Sequence, residues 1–347
     1  MFTHISILNT NIWNYSLFNM SLKHKLMLFF GITSTTLFIR VYFEFHEISF
    51  NPVVSKNIQY HSKASVGYND DKPLYNIQRF RNSTFNKFPK DLCKENVTLL
   101  VFIVSASQNI LAREAIRNTW GTACLNLQTD AQCVFVVGRS RNETLNRYIW
   151  VESDVNRDIL IVSSDDVYSN LTYKTMLALQ WSIMNCNGKI KFLMKTDDDM
   201  FVSVTSLTKY LNNAPKQKLF IGKCWGPAKP NRNKSSKWYV TWKQYNHTHY
   251  PVFCSGTGYI LSYEAALSVV QISSKVPFLY LEDVYVAICA QRQGITPKNV
   301  AGFYNSKEVL NSCKDVHRVF TSHGLSASEM YDVWKKLKNC SSTDIGE

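Results

Sequence analysis

From residue 97 onward the hydrophobic positions of this chain switch repeatedly between two periods. Residues 97–104, 133–137, 158–162 and 192–195 are short apolar runs rich in β-branched or aromatic side chains, which predicts buried strands. Between them, residues 113–120, 144–154 and 170–184 carry apolar side chains at helical spacing. The last of these places Leu171, Met176, Leu177, Leu179, Trp181 and Met184 along its length. The first should stop at Gly121, a good helix terminator. A further helix is expected over 204–211. Strand and helix alternating at this spacing predict an α/β fold, a mostly parallel sheet with helices on both faces. After residue 219 the pattern loosens. A short strand over 219–222, a basic loop over 223–237, an edge strand over 238–242, a long apolar stretch over 250–262 and helices over 265–272 and from 281 are expected.

The N-terminal part reads differently. Residues 26–43 are almost uncharged and follow Lys23, His24 and Lys25, enough to span a bilayer if Arg40 snorkels to its surface. The positive flank puts residues 1–25 in the cytosol and the rest in the lumen. A cleaved signal peptide is the rival reading, but no small-residue cleavage site follows the run. Residues 44–92 lack periodicity and read as a stem. The globular domain is then 93–347. Two features fit a lumenal body. Glycosylation sequons begin at Asn82, Asn96, Asn142, Asn233 and Asn246, with further ones at Asn339 and at Asn170, where the residue falls inside a helix entry. All nine cysteines lie beyond residue 92, with no CxxC pair, so they read as disulfides with at least one thiol left over.

Composition narrows the partners. A formal net charge of +13 suits an anionic membrane, nucleic acid or a phosphate-bearing small molecule. No long basic block or zinc-finger spacing supports nucleic acid. The candidate chemistry gathers in three places. Lys195-Thr196-Asp197-Asp198-Asp199 sets three carboxylates at the end of an expected strand, where open α/β sheets bind ligands. Like charges so close need a cation or many N–H donors; the reading is a site for a hard divalent ion holding a diphosphate, or else a solvated acidic loop. On an extended backbone Asp197 and Asp199 would share one face. Gly256-Thr257-Gly258 allows close approach of a ligand, or a plain bulge. Glu282-Asp283 opens an apolar helix, either favouring its dipole or supplying a general base.

In one order, Arg113-Glu114-Ala115-Ile116-Arg117-Asn118-Thr119-Trp120-Gly121, the acidic turn through Val202, residues 250–262 and Leu281-Glu282-Asp283-Val284-Tyr285-Val286 resemble the Golgi beta-1,3-glycosyltransferase family, most of all its beta-1,3-galactosyltransferases. Asp166-Val167-Tyr168-Ser169-Asn170-Leu171-Thr172, Lys237-Trp238-Tyr239-Val240 and Ser322-His323-Gly324-Leu325-Ser326 are similar to further motifs of that family. The resemblance implies a GT-A type glycosyltransferase fold on a type II single-pass Golgi membrane protein. It implies inverting, manganese-dependent transfer, with magnesium as the alternative ion, from UDP-galactose to a glycan acceptor on a glycoprotein, glycolipid or proteoglycan. It assigns Asp197, Asp199 and His323 to the metal, with His317 as the nearby alternative to His323. Arg113, Arg117, Lys195, Asp197, Asp198, Gly256 and Gly258 go to the donor, with pinning of the helix to the acidic turn as the other reading of the two arginines; Asp283 is the catalytic base, and Glu282 orients it or contacts sugar. Trp120 is expected to pack rather than touch substrate. Ala287 stands where the family usually has glycine, which bears on donor choice rather than on the reaction. UDP-N-acetylglucosamine is the rival donor. A non-catalytic lumenal chaperone or lectin on the same fold is the rival class, and it would be expected to have lost the acidic turn or the base.

Overall fold

The computed structural model describes residues 85–93, 97–125, 130–186, 188–308, 310 and 312–340, all within the unit Lys72–Glu347. The expected tail and anchor, most of the stem, Asn82, Asn96 and the side chain of His317 lie outside the described residues. Among the described residues no helix is long and apolar enough to cross a membrane.

The strands are β1 (Phe85–Lys87), β2 (Val97–Ser105), β3 (Ala131–Arg139), β4 (Ile159–Asp165), β5 (Ile190–Asp197), β6 (Met200–Val202), β7 (Phe220–Trp225), β8 (Phe253–Ser262), β9 (Lys298–Asn299) and β10 (Thr321–His323). The helices are α1 (Ile110–Asn118), α2 (Thr122–Leu125), α3 (Glu143–Asn156), α4 (Leu171–Cys186), α5 (Val204–Leu211), α6 (Tyr263–Ser273), α7 (Glu282–Arg292), α8 (Cys313–Arg318) and α9 (Ala327–Lys338). The main sheet has the order β1-β4-β3-β2-β5-β8-β7-β9. The block β4-β3-β2-β5 is parallel throughout, while β8 runs antiparallel to both its neighbours and β1 to β4. The mostly parallel α/β sheet expected from the pattern is therefore present, with an antiparallel insert at β8.

The nine residues of β2 are all buried, because alternate side chains enter two different cores. Leu100 and Phe102 face the core built with α4, α6 and α7, whereas Leu99, Val101 and Ile103 face the one built with α1, α5 and α9. A strand covered on both faces loses the polar alternation of a half-exposed one, which is why its sequence is a continuous apolar run. From β2 the chain goes outward through β3 to β4, then returns to the other side of β2 as β5. The sheet order thus reverses between β2 and β5, and crevices at the carboxyl ends of strands at such a reversal are where ligands bind. Val104 pairs there with Asp197.

Three local expectations need revision. Residue 85 already pairs with β4, so the sheet begins within the segment read as stem. The edge strand over 238–242 is absent; only an isolated bridge joins Asn231 to Tyr239. Arg232 takes the Val240 carbonyl oxygen, an acceptor that a ladder would need, and also donates to the carbonyls of Tyr245 and His247 just beyond the segment. Finally, α1 starts earlier and ends earlier than expected, although Gly121 does close it. Its N–H donates to Ile116 O at 2.9 Å, and a Cβ there would lie 2.5 Å from that same oxygen.

Eight cysteines form four disulfides, Cys93–Cys186, Cys124–Cys133, Cys224–Cys254 and Cys313–Cys340, and Cys289 is left as a buried thiol. Asn142, Asn233, Asn246 and Asn339 are exposed. Asn142 also caps α3 by accepting from the Thr144 and Leu145 N–H groups. Asn170 is half-buried, with its side-chain amide donating to Asp165 O. The indole N–H of Trp120 donates to Met200 O from a fully buried position, the packing role expected of it.

Candidate active site

β5 carries three polar residues out of the core at the sheet reversal. Lys195 is 1% exposed and reaches Asp197 at 2.6 Å, Glu282 at 3.6 Å and the Gly256 carbonyl oxygen. One ammonium thus ties together β5, β8 and the first turn of α7. Burial alone would lower its pKa, but Asp197 and Glu282 outweigh that and hold it raised, so it is a permanent cation.

Glu282 is 3% exposed. Its Oε1 accepts from the Tyr259 hydroxyl at 2.6 Å, and its Oε2 has no hydrogen-bond partner. Burial pushes its pKa up to about 7 against the pull of Lys195, with Asp283 adding to the rise. Lys195 stands an ångström nearer to Asp197 than to Glu282, so its charge is matched there first and Glu282 is left as the surplus carboxylate. Asp283 opens toward the surface. Its Oδ1 accepts from its neighbour Val284 N–H at 2.8 Å and its Oδ2 from Gly256 N–H at 3.3 Å. Burial raises its pKa despite these two bonds to the anion. The result is a carboxylate fixed in direction, partly open, and more basic than an ordinary aspartate.

The acidic turn departs from the extended geometry. β5 runs through Asp197, and Asp198 and Asp199 form a turn before β6. The period-two alternation that would put Asp197 and Asp199 on one face is broken there. Asp197 turns to Lys195. Asp198 is buried and accepts from the Asn109 side chain at 2.9 Å, which ties the loop after β2 to the turn; burial raises its pKa. Asp199 stands 3.3 Å from His323 Nε2, because β6 pairs antiparallel with β10 and brings His323 opposite Met200. Burial opposes its charge, but the hydrogen bond and charge of His323 keep its pKa low, and the Asp199 bond raises that of His323. Asp199 and His323 therefore form a ready oxygen–nitrogen pair. Among the described residues no three His, Cys, Asp or Glu side chains are already gathered around one point as a metal cage would be.

The two arginines do not join this site. Arg113 is fully buried, and all five of its N–H donors are used, on Glu152, Ser105, Ala106 O and Ser107 O. Arg117 makes a two-pronged pair with Asp158 and a third contact to Glu152 at 2.7 Å. They clamp α1 to α3 and the start of β4, which leaves Arg113 no donor for a phosphate. Gly258 is likewise an internal contact, where a Cβ would meet Thr321 at 3.3 Å and Met194 at 3.5 Å. Gly256 does belong to the site, since a Cβ would lie 3.0 Å from Glu282 Oε2 and 3.6 Å from Lys195 Nζ. Tyr259 and Asn109 are site residues that the sequence pattern missed. Tyr259 read as one more apolar strand position, and Asn109 lies in a loop with no period.

The Galactosyltransferase family model matches residues 111–301. Beta-1,3-galactosyltransferase 1 of Mus musculus is 35% identical over 251 residues, covering 71% of this chain and 76% of its own length. Beta-1,3-galactosyltransferase 2 of Homo sapiens is 37% identical over 259 residues, covering 71% of this chain and 60% of its own. Among solved structures, a glycosyltransferase involved in the glycosylation of the major capsid of PBCV-1 superposes on 68% of this chain and 98% of its own at 11% identity, with a TM-score of 0.37. That overlap is too loose to carry an argument. The matched family span contains the acidic turn, the Gly256 strand and the Glu282–Asp283 step. The chain belongs to the galactosyltransferase family and is a hexosyltransferase.

Proposed function

We propose that this hexosyltransferase moves galactose from UDP-galactose to a sugar acceptor in beta-1,3 linkage, with inversion at the anomeric carbon, on a GT-A type fold. The names of the matched relatives support the sugar and the linkage. The observation that carries the mechanism is Lys195, which holds the end of β5, Gly256 and the Glu282–Asp283 step in one cluster.

In this reading the acceptor hydroxyl sits against Asp283. The two N–H groups fix its carboxylate, and burial makes it more basic, so it takes the hydroxyl proton as the oxygen attacks the anomeric carbon. The bond from that carbon to the diphosphate oxygen breaks, and UDP departs with the electron pair. Glu282 stays in place between Tyr259 and Lys195 and sets the first turn of α7. Asp199 and His323 fit a manganese ion as a mixed oxygen–nitrogen pair on a partly open turn, with Asp197 nearby. Bound there, the ion supplies positive charge to the departing diphosphate. The same reading makes the chain a type II single-pass protein of the Golgi membrane, supported by the apolar run over residues 26–43 with its basic flank, by the sequons and cysteines beyond it, and by the family resemblance.

The test is a screen of UDP-sugars with manganese, scoring UDP release with and without glycan acceptors, on the native chain and on Asp283→Asn. UDP-galactose is the expected donor. Asp283→Asn should lower turnover by about 10²- to 10⁴-fold while UDP affinity stays within about twofold. Turnover near the native rate in Asp283→Asn removes that residue as the base, and preference for UDP-N-acetylglucosamine removes galactose.

A further inference from the structure

A cavity of about 840 Å³ lies away from the acidic turn. Residues 242–251 form one wall, and Val276, Pro277 and Leu279 with Ile288, Gln291 and Arg292 of α7 form the other. Its wall runs from Leu279, four residues before Asp283, to Arg292, nine residues beyond it, about 13 Å along the axis of α7 and half a turn round it. The cavity therefore extends from the neighbourhood of the candidate base over a length of a few sugar units.

Its chemistry is specific. The described wall residues contain no aspartate or glutamate, yet include Lys243, Arg292, His247 and His249. Trp242 and Tyr245 supply flat rings, and Asn246 and Gln291 supply amides, a group that both donates and accepts. Rings beside amides suit the apolar faces and hydroxyls of a saccharide. Cations without carboxylates suit one that bears negative charge, and arginine matches a carboxylate or sulfate with two parallel donors. The wall is also fixed in advance. The Arg232 guanidinium lies 4.0 Å from the centre of the Trp242 ring while donating to the Tyr245 and His247 carbonyls. Tyr250 closes the floor of the cavity: it is 5% exposed, and its hydroxyl is turned into the protein, out of reach of the cavity.

We propose that this cavity is a second saccharide subsite, which takes an anionic sugar of the acceptor glycan beyond the sugar that reacts at Asp283. The ligand's being an acceptor rests on the galactosyl-transfer reading; the binding chemistry does not.

The test is calorimetric titration of the purified full chain, without nucleotide sugar, using three tetrasaccharides: uronate-bearing, sulfated and neutral. At least one acidic probe should bind about tenfold tighter than the neutral one, the weight of one charge-assisted contact. The uronate and sulfate arms identify which acid is preferred. Arg292→Gln should erase the preference. Tyr250→Phe, which loses only a hydroxyl sealed from the cavity, should leave the preference unchanged and serves as the control for wall packing. Both variants should keep transfer to a short neutral acceptor, and in Arg292→Gln the rise for the acidic acceptor should be confined to KM. Equal affinity for acidic and neutral probes, or a preference that survives Arg292→Gln, overturns the proposal. So does binding seen only in protein made without N-glycosylation, since Asn246 of the wall is itself a sequon and the cavity would then seat the chain's own glycan. Saccharide binding without UDP release from any UDP-galactose reaction would sink the galactosyl reading and leave the subsite standing.

Discussion

Glu282→Gln should make the protein more stable at pH 8 and leave it nearly unchanged at pH 5. Glu282 is buried with its pKa pushed up from 4.5 to about 7, first by burial and then by Asp283, while Lys195 opposes the rise. In the unfolded chain the same group titrates near 4.5. Between those two values the native state holds a proton that the unfolded state has released, so stability falls as pH rises through the window. The shift, 7 − 4.5, at 1.36 kcal/mol per pH unit gives about 3 kcal/mol lost above pH 7. Glutamine has the same shape, keeps an acceptor for the Tyr259 hydroxyl and carries no charge to desolvate. Lys195 keeps its nearer partner Asp197, so no new unpaired cation appears. The assay is urea denaturation of both proteins, disulfides intact, at half-unit steps from pH 5 to pH 8. The native chain's midpoint should drop relative to the variant's across that range. A constant difference between the two curves would refute the reasoning, because it would mean that Glu282 is ionised throughout and fully matched by Lys195.

Further outcomes follow from the same contacts. Arg113→Gln should cost about 3 kcal/mol of stability, since it leaves the buried Glu152 with Arg117 as its one remaining arginine partner and removes the donors on Ser105, Ala106 O and Ser107 O, while the folded fraction keeps native UDP affinity; weaker UDP binding with an unchanged melting curve would restore a phosphate role. Asp199→Ala and His323→Ala should each weaken manganese binding in the presence of UDP by at least about tenfold, read by electron paramagnetic resonance, and equal binding in both would move the ion elsewhere. The Cys289 thiol is buried, and burial pushes its pKa up to about 12, so iodoacetamide at pH 8 should label it only after denaturant is added; fast labelling of the folded protein would contradict that placement.

Much of this molecule is written locally in its residues. The apolar run of β2, the helical spacing of α4 and the full extent of α5 follow from which faces are buried, and burial on a face leaves a period in the sequence. The acidic turn, the Glu282–Asp283 step and an odd cysteine count were equally plain. What the sequence could not reveal was which side chain meets which. Arg113 and Arg117 carry the right charge for a phosphate, yet Glu152 and Asp158 take them, because α3 and the start of β4 fold back over α1. Asp197 and Asp199 look alike on paper, yet a turn between them sends one to Lys195 and the other to His323. The cavity joins residues 242–251, held by Arg232 at the Tyr245 and His247 carbonyls, to the far end of α7, about 40 residues later in the chain. Periodicity reports solvent exposure along one element, whereas partners are chosen across elements far apart in the chain. That choice rests on the sheet order and on the cost of leaving a buried charge unmatched, and only the tertiary structure contains both.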